Sequence, residues 1–304
     1  MLKKSFALLM VLAAVAAFGQ QAAGLRYSIT VSKFENEANW SGRWDLGDAW
    51  GTVLTDALMQ TGRFIVLGEK DMRKEAMDEQ DLAASGRVAQ GKMTPQTGKM
   101  TPAQLLVKGS ITHVQETAGG GGGIGFKGIR IGGDKGSAEI NVTIYVVDSQ
   151  TGQVKASKSV VGKAGQKGVS LGYSGHALGG LTGDLGGFEK DNMGLATADA
   201  VNQAVEFLIA QLGSLPWTGS VLLAKEDKIT INRGTRDGVA VGMQFDVGST
   251  EILTDPDTGE VLDEELTSVG VIQVTAVKEK VATCKPLSGS GFEKGMSIQP
   301  HQAQ

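Results

Sequence analysis

Apolar and polar positions follow two different periods along the chain, and the shorter period marks the strands. Residues 25–34, 63–67 and 105–116 are short segments rich in β-branched and aromatic side chains, and each predicts a strand. Residues 138–162 predict a β-hairpin with its turn between Ser149 and Gly152. The first arm of this hairpin alternates strictly, as a strand with one buried face does, with apolar residues at Ile140, Val142, Ile144 and Val146.

The longer period marks the helices. Residues 49–60 place apolar side chains on one helical face, and Gly62 follows where helices often end. Residues 69–86 predict a second helix that is charged on one side, and Thr101-Pro102 has the composition of a helix start. A long amphipathic helix is predicted near residues 195–212, with its apolar positions at Leu195, Ala198, Val201, Val205, Leu208 and Leu212.

The order of these elements predicts two domains. Strands and helices mix over residues 25–215, which indicates an α/β domain with helices packed on a mixed sheet. Residues 217–299 instead contain about six short strands between Gly, Asp and Pro turns, with no helical pattern. The fold class is therefore α/β followed by a small all-β, barrel-like domain.

The first 19 residues have the pattern of a secretory signal peptide. Lys3 and Lys4 precede a short apolar run, and Ala17-Phe18-Gly19 has the small residues of a cleavage site. The apolar run is shorter than the roughly 20 residues of a membrane-spanning helix. We therefore expect an exported protein of the periplasm or outer membrane. Cys284 is the single cysteine, so no lipid anchor is readable and no intramolecular disulfide can form.

Composition narrows the function classes further. The formal net charge is −4, which disfavours nucleic acid and anionic membrane surfaces as partners. The chain contains 44 glycines, about twice the usual share, and they concentrate in two tracts, residues 117–137 and 162–194.

The first glycine-rich tract contains the pattern GxGxxG from Gly123 to Gly128. A dinucleotide site needs a strand before this pattern and a helix that opens directly after it, so that the helix N-terminus faces the phosphate. The segment after Gly128 is again glycine-rich and then β-branched, with no helical pattern. We therefore expect no cofactor here.

The remaining candidate chemistry is equally sparse. Gly98-Lys99 precedes a methionine where a P-loop needs Ser or Thr to hold magnesium, so a P-loop is disfavoured. Residues 255–259 resemble a calcium loop but lack its glycine and its bidentate glutamate, and a hairpin turn is the better interpretation. Because the single cysteine, Cys284, is expected to face the core of the small barrel, we expect neither a Cys-His pair nor a zinc cluster. We expect no enzyme, no metal and no small-molecule substrate.

The chain resembles a known family through five segments and the two glycine-rich tracts between them. In order, they are "VSKFEN", "LTDALMQTGRFIVLGEKDM", "LLVKGSITHVQE", the first tract, "INVTIYVVDSQTGQVKASKSV", the second tract and "ADAVNQAVEFLIAQL". In this order they resemble the curli secretion channel (CsgG) family over residues 25–213. The later segment "ITINRGTRDGVAVGMQFDV" is similar to the C-terminal small β-domain of flagellar assembly protein T.

The CsgG resemblance implies a non-enzymatic envelope protein that assembles into a ring. In that family two segments of each subunit form hairpins of a shared outer-membrane barrel, and they correspond here to the two glycine-rich tracts. The implied membrane or inter-subunit residues are Ile124, Phe126, Gly128, Ile129, Ile131, Val169, Leu171 and Tyr173. The family's constriction loop corresponds to Asn39, Trp40 and Trp44, which are similar in chemistry but not in order.

The alternation of side chains tests the membrane hypothesis in part. In one regular strand Lys127 and Arg130 would point to opposite faces, and one would face lipid. A bulge at Gly128 would instead place the four apolar residues of this tract on one face. In the second tract residues 167–178 alternate well, whereas the apolar residues after them are spaced three and four apart.

Two functions remain open from the sequence. One is a ring-forming periplasmic or outer-membrane component of secretion or envelope assembly, with homo-oligomeric and envelope protein partners. The other is a soluble periplasmic scaffold or adaptor that binds partners through its C-terminal β-domain and forms no pore.

Overall fold

The computed structural model describes residues 24–41, 45–117, 136–165, 192–225, 227–259 and 261–301, together with the backbone of 125–126 and 129–130. The chain divides into two compact units. Residues 28–212 form the first, which we call the α/β unit. Residues 213–301 and the described residues before Ser28 form the second, which we call the barrel unit.

A mixed sheet is the framework of the α/β unit. Its strands are β1 (Tyr27–Val31), β2 (Glu35–Asn36), β3 (Phe64–Val66), β4 (Leu105–Thr117), β7 (Ser137–Asp148) and β8 (Val154–Ala164). They follow the order β3-β1-β4-β7-β8, and β2 pairs with β4 beside β1. Strands β1 and β2 run parallel to β4, whereas β4, β7 and β8 pair antiparallel. The predicted mixed α/β fold is confirmed.

The predicted buried face of β7 is confirmed as well. Ile140, Val142 and Ile144 are completely buried, and Val142 lies between the buried residues Ile111 of β4 and Val160 of β8. The next residue after Ile144, Tyr145, points to the other face and is exposed. The alternation in the sequence therefore reports the two faces of this strand directly.

Helices α1 (Leu46–Thr61) and α3 (Asn192–Gln211) cover the apolar face, and α2 (Lys70–Ala84) lies outside it. Asp45 caps α1 by accepting a hydrogen bond from the Asp48 N–H, and Gly62 ends it in the left-handed conformation. In α2 only Ala83 is buried, which agrees with its charged composition.

The buried face of α3 differs from the prediction in its details. Val201, Val205 and Leu208 are buried as expected, but Leu195 and Ala198 are only half-buried. The face is instead completed by small residues that let the helix approach the sheet closely: Gly194, Ala196, Thr197, Ala200 and Ala204. A prediction based mainly on the large apolar residues therefore placed the centre of the buried face of α3 wrongly.

The predicted helix start at Thr101-Pro102 is wrong, because these residues lie in an extended connection to β4. The Ser28 hydroxyl donates to the Pro102 carbonyl (2.8 Å), and the Ser28 N–H donates to Gln104 Oε1 (3.0 Å). Bonds to a neighbouring strand thus hold the segment extended, and the local capping signal is overridden.

The barrel unit is a closed antiparallel barrel of six strands, as the sequence predicts. The strands are β9 (Gly219–Lys225), β10 (Lys228–Ile231), β11 (Gln244–Thr254), β12 (Val261–Val277), β13 (Ala282–Gly289) and β14 (Ser297–Pro300), in the order β10-β13-β12-β11-β14-β9. Its core contains Phe245, Ile229 and Cys284. Residues 255–259 form the predicted hairpin turn between β11 and β12.

Candidate functional site

The candidate site is the end of the α/β sheet where both glycine-rich tracts begin. Thr117, the last residue of β4, lies opposite Ser137, the first residue of β7. Next to this pair Ala138 lies opposite Ala164, the last residue of β8. Three adjacent strands therefore end together, and from these ends residues 118–136 connect β4 to β7 and residues 165–191 connect β8 to α3.

The beginning of α3 is fixed at the same end. A Cβ atom at Gly162 would overlap the Ala196 carbonyl oxygen and the Ala200 backbone, so glycine is required for this close approach. The Lys163 N–H donates to Asp199 Oδ2 (3.1 Å), and the Gln203 side chain donates to the Val161 carbonyl (2.8 Å). Both ends of the second tract are thus held beside each other.

An ion pair joins the strands at this end. Lys163 Nζ lies 3.1 Å from Glu139 Oε2, across the β7–β8 pairing. The Lys163 side chain is 65% exposed, so the pair is screened by solvent and contributes little to stability.

The candidate constriction loop borders the same end of the sheet. Because β2 runs parallel to β4, the chain after Asn36 continues towards the end of β4. The Ala38 N–H donates to the Ile111 carbonyl (2.9 Å), and the Asn36 side chain donates to the Trp40 carbonyl (2.8 Å). Asn39 has a φ of 53°, a left-handed conformation that asparagine tolerates better than most residues.

Aromatic packing anchors this loop to the core. The Phe34 ring lies 4.7 Å from the Trp50 ring, measured between centroids, and it covers Gly109 so closely that a Cβ atom there would overlap the ring. The Phe34 N–H also donates to the Gly47 carbonyl (3.4 Å). The loop therefore leaves from a buried and well-packed position.

Most of the predicted site residues lie outside the described part of the chain. Asn39 is exposed and Trp40 is half-buried in the loop just described. Phe126 and Ile129 lie in two short strands, β5 (Gly125–Phe126) and β6 (Ile129–Arg130). Outside the described residues lie Trp44, Ile124, Gly128, Ile131, Val169, Leu171 and Tyr173.

The pairing of β5 with β6 differs from the expected single strand with a bulge. Gly125 lies opposite Arg130 and Phe126 lies opposite Ile129 in an antiparallel pair. The chain therefore reverses direction between Phe126 and Ile129. The sequence between the two strands, Lys127-Gly128, has the composition that tight hairpins favour.

The described residues offer little acid–base or nucleophilic chemistry. Burial raises the pKa of Cys284 to about 12, so its thiol is protonated at neutral pH. Burial also raises the pKa of Tyr27 to about 12, and its hydroxyl donates to the Leu215 carbonyl (2.6 Å). Across the described ranges, no cluster of three or more His, Cys, Asp or Glu side chains has an arrangement that could hold a metal ion.

One cleft, of about 590 Å³, lies in the barrel unit. At its side His301 Nδ1 lies 2.9 Å from Asp246 Oδ1, and Ser268 also lines it. The Ser268 hydroxyl is directed to the carbonyl oxygens of Val247 and Gly270 (3.4 Å each), not to the histidine. The three side chains therefore do not form the hydrogen-bonded series of a nucleophile and its base.

A family model described as "curli production assembly/transport component CsgG" matches residues 9–240, which is most of the chain. The chain belongs to the CsgG family. This membership confirms the resemblance of the α/β region and makes the protein a relative of assembly and transport components. No curated protein matches the chain, and the similarity of the C-terminal domain to flagellar assembly protein T stays a prediction.

Solved structures similar to this CsgG-family chain come from several bacteria. The hypothetical protein CT253 of Chlamydia trachomatis is 11% identical and has a TM-score of 0.37, with 62% of this chain and 99% of that chain covered. The PelC dodecamer of Paraburkholderia phytofirmans is 11% identical, with a TM-score of 0.31 and coverage of 58% and 83%. Lipoprotein GNA1162 of Neisseria meningitidis is 14% identical, with a TM-score of 0.28 and coverage of 62% and 99%.

The sequence prediction missed one prominent feature, the part of the β11–β12 hairpin that extends beyond the barrel. A sequence signal for it exists, because residues 244–277 contain no lysine or arginine but many acidic residues.

Among the helices that the structure describes, none combines the length and the apolar character needed to span a membrane.

Proposed function

We propose that this CsgG-family protein is an exported, ring-forming component of envelope secretion or assembly, and that its two glycine-rich tracts enter the outer membrane side by side. The observation that carries the proposal is the common origin of the tracts at one end of the sheet. Thr117, Ser137 and Ala164 end three neighbouring strands there. In each subunit the two hairpins would start from neighbouring strands and so lie side by side. Repeated around a ring of subunits, they could pair with one another and close a shared barrel without free edges.

The pairing of β5 with β6 supports a hairpin in the first tract. The ladder of β4 with β7 ends at Thr117 and Ser137, and the β5–β6 pairs differ from its continuation by a single residue of register. Residues 118–136 are about as long as two membrane strands of roughly 9 to 11 residues each. The first tract thus has the length of a hairpin that extends the sheet, with a one-residue change of register between the β4–β7 ladder and the β5–β6 pairs.

This hairpin resolves the charge problem that a single strand creates. Phe126 lies opposite Ile129, and opposite residues share a face. The alternation of a strand would add Ile124 and Ile131 to that face and would place Arg130 on the other. A hairpin turn between β5 and β6 would therefore separate an apolar, lipid-facing row from the charged residue without a bulge. In the second tract Val169, Leu171 and Tyr173 would supply the corresponding row.

The loop of Asn39 and Trp40 supports a constriction near the same end. A ring of subunits that places this end around its axis would repeat the loop once in each subunit. We expect the substitution Trp40→Ala to raise the single-channel conductance of the ring, because it removes a bulky side chain from the aperture. An unchanged conductance in an intact ring would remove this loop from the pore.

The membrane hypothesis is tested by fractionation, imaging and conductance of the purified protein. We expect a detergent-dependent ring that conducts ions. The variant Ile129→Arg places a charge in the lipid-facing row, at a cost of about 2 to 4 kcal/mol in each subunit. It should leave the membrane fraction, whereas Val241→Arg, a matched change at an exposed residue of the barrel unit outside the arm described below, should stay in it.

Release of the wild-type protein by osmotic shock without detergent would contradict the membrane proposal. That result favours the second candidate, a soluble periplasmic scaffold or adaptor that acts through its C-terminal domain. The observation behind this candidate is the exposed hairpin of the barrel unit, where Ile252 and Leu262 are 54% and 64% exposed.

A further inference from the structure

The β11–β12 hairpin extends far beyond the barrel. Strand β14 pairs with β11 only from Phe245 to Gly248, and β13 pairs with β12 only from Gly270 to Val277. Residues 249–254 and 261–267 pair with each other, and no third strand within the described residues pairs with them. We call these two segments and their turn the arm. An isolated two-stranded ribbon is only marginally stable in water.

The surface of the arm is unusually apolar for an exposed ribbon. Because Ile252 lies opposite Glu264, its diagonal neighbours on the same face are Leu262 and Leu266. Four large apolar side chains of the arm are between 44% and 64% exposed: Ile252, Leu253, Val261 and Leu262. A cluster of this kind at the tip of a projecting element is typical of a protein interaction site.

The charge of the arm defines the chemistry of its partner. Residues 244–277 contain acidic side chains but no lysine or arginine. Glu251 lies directly opposite Glu265, and Asp263 lies on the same face. Like charges placed opposite each other destabilise a ribbon, and a basic surface that covers them would remove this repulsion. The arm therefore matches a partner surface on which lysines lie beside a strand that is apolar or has an unpaired backbone edge.

The chain itself presents such a surface at β8. Within the described residues only β7 pairs with β8 as a strand, and the hydrogen bonds of its outer edge to α3 lie at Val161 and Lys163, so the edge from Val154 to Ser159 is open. From Val154 to Ser159 the strand exposes nearly all of its side chains, including Lys155 and Lys158, and Val154 is 56% exposed. This exposed stretch has six residues, close to the seven of the arm segment 261–267 in β12.

The two charge signs also select against the wrong pairings. The lysines of β8 disfavour pairing of one β8 edge with another, and the carboxylates disfavour pairing of two arms. A contact between an arm and a β8 edge avoids both repulsions, because it brings carboxylates next to lysines. Such a head-to-tail contact uses different surfaces on the two copies, so it can propagate around a ring.

We propose that the arm of one copy docks on the β8 edge of a second copy, where β12 of the arm adds as a strand and its carboxylates meet Lys155 and Lys158. This contact lies outside both glycine-rich tracts, and it goes beyond the proposed function. A negative result here leaves the membrane proposal unaffected, because the variants below do not change the tracts.

Cross-linking between single-cysteine variants tests the contact directly. Cys284 is buried and its thiol is protonated, so it does not compete for a thiol reagent. One protein carries Leu262→Cys in the arm and a second, differently tagged protein carries Ser157→Cys on β8. Since each protein has one exposed thiol, a mixed cross-link can form only between copies. The control replaces Ser157→Cys by Met93→Cys, at a loop residue that is 94% exposed.

We expect the mixed cross-link with Ser157→Cys to exceed the control at least tenfold. Equal yields with both partners would overturn the proposal. So would capture of a different protein by the arm in extracts combined with no self-association of the purified chain, because the occupant would then not be a second copy.

Charge reversal provides a second, independent readout by sedimentation. Glu251→Lys with Glu265→Lys in the arm, or Lys155→Glu with Lys158→Glu on β8, should each weaken association by about tenfold, as expected for exposed ion pairs that become repulsive. Mixing the two double variants should restore association. Lys278→Glu with Lys280→Glu, at exposed lysines elsewhere in the barrel unit, is the control. Failure of the mixture to associate, with each variant folded, would contradict the proposal.

Discussion

Two long hairpins of this protein end in the same turn but have opposite surroundings. In the β7–β8 hairpin Asp148 Oδ1 accepts hydrogen bonds from the N–H groups of Gln150 and Thr151, and Gly152 has a φ of 72°. In the β11–β12 hairpin Asp255 Oδ1 accepts from Asp257 and Thr258, and Gly259 has a φ of 74°. The first hairpin lies in a helix-covered sheet, whereas the end of the second projects as the arm.

The difference shows that turn chemistry defines a hairpin but not its environment. Ile144 of β7 and Ile252 of β11 both lie in alternating strands that lead to an Asp-x-x-Thr-Gly turn. Ile144 is completely buried and Ile252 is 54% exposed. What separates them is that α3 covers β7 and β8, whereas within the described residues of the barrel unit no third strand pairs with the arm.

Truncation of the two isoleucines should therefore give the largest contrast. We expect Ile144→Ala to lower the free energy of unfolding of the α/β unit by about 2 to 5 kcal/mol, because it leaves a cavity in a close-packed core. Ile252→Ala should change stability by about 0.5 kcal/mol or less, as exposed substitutions do. Amide hydrogen exchange on β7 and on β11 measures the two effects separately.

A dilution series provides the control for this pair. If Ile252→Ala costs as much as Ile144→Ala at low protein concentration, the arm is packed within its own copy and the comparison fails. If the cost of Ile252→Ala appears only as the concentration rises, the arm is buried between copies.

The comparison also shows how far the sequence predicts this structure. The alternation of Ile140, Val142 and Ile144 predicts their burial, because every second residue of a strand lies on the same face and only one face of this sheet is covered. The same period at Ile252 and Leu262 predicts a strand but not its exposure, since alternation does not reveal whether another layer exists. The helix start predicted at Thr101-Pro102 is wrong for a related reason. The hydrogen bond that Pro102 accepts comes from Ser28, which is distant in sequence and is not visible in the local pattern.

For the candidate site, the sequence predicted which segments connect the strands but not that the ends of three strands meet. The two glycine-rich tracts were visible in the composition, and the hairpin between Ser149 and Gly152 brings the strands before and after it together. That all three strand ends meet depends on the parallel and antiparallel order of β1, β4 and β7. This order results from packing across the whole unit, and no local pattern contains it.

Substitution of the two turn glycines should give a smaller and more revealing contrast. Because both have nearly the same φ, Gly152→Ala and Gly259→Ala should each cost about 1 to 2 kcal/mol of local conformational energy. For Gly152 we expect the loss in the unfolding of the α/β unit, since the Ser149 N–H next to this turn donates to the Gln104 carbonyl and ties it to β4. For Gly259 we expect it only as faster amide exchange within the arm.

Asparagine provides the matched control at both glycines, because it tolerates the left-handed conformation better than alanine does. Gly152→Asn and Gly259→Asn should each recover part of the loss. Equal effects of the two alanine substitutions on global unfolding would mean that the arm and the β7–β8 hairpin belong to one cooperative unit.

The smallest expected effect is a pH dependence of the arm turn. Hydrogen bonds from the N–H groups of Asp257 and Thr258 hold the pKa of Asp255 below its ordinary value of 3.8. A carboxyl with a lowered pKa stabilises the folded turn above that ordinary value, and the contribution is lost as the pH falls through the lowered pKa. We expect amide exchange at Thr258 and Gly259 to accelerate below about pH 3.8 relative to the rest of the arm. Asp255→Asn keeps a side-chain acceptor but cannot titrate, so it should abolish this dependence, and its persistence in the variant would assign it to another carboxyl of the arm.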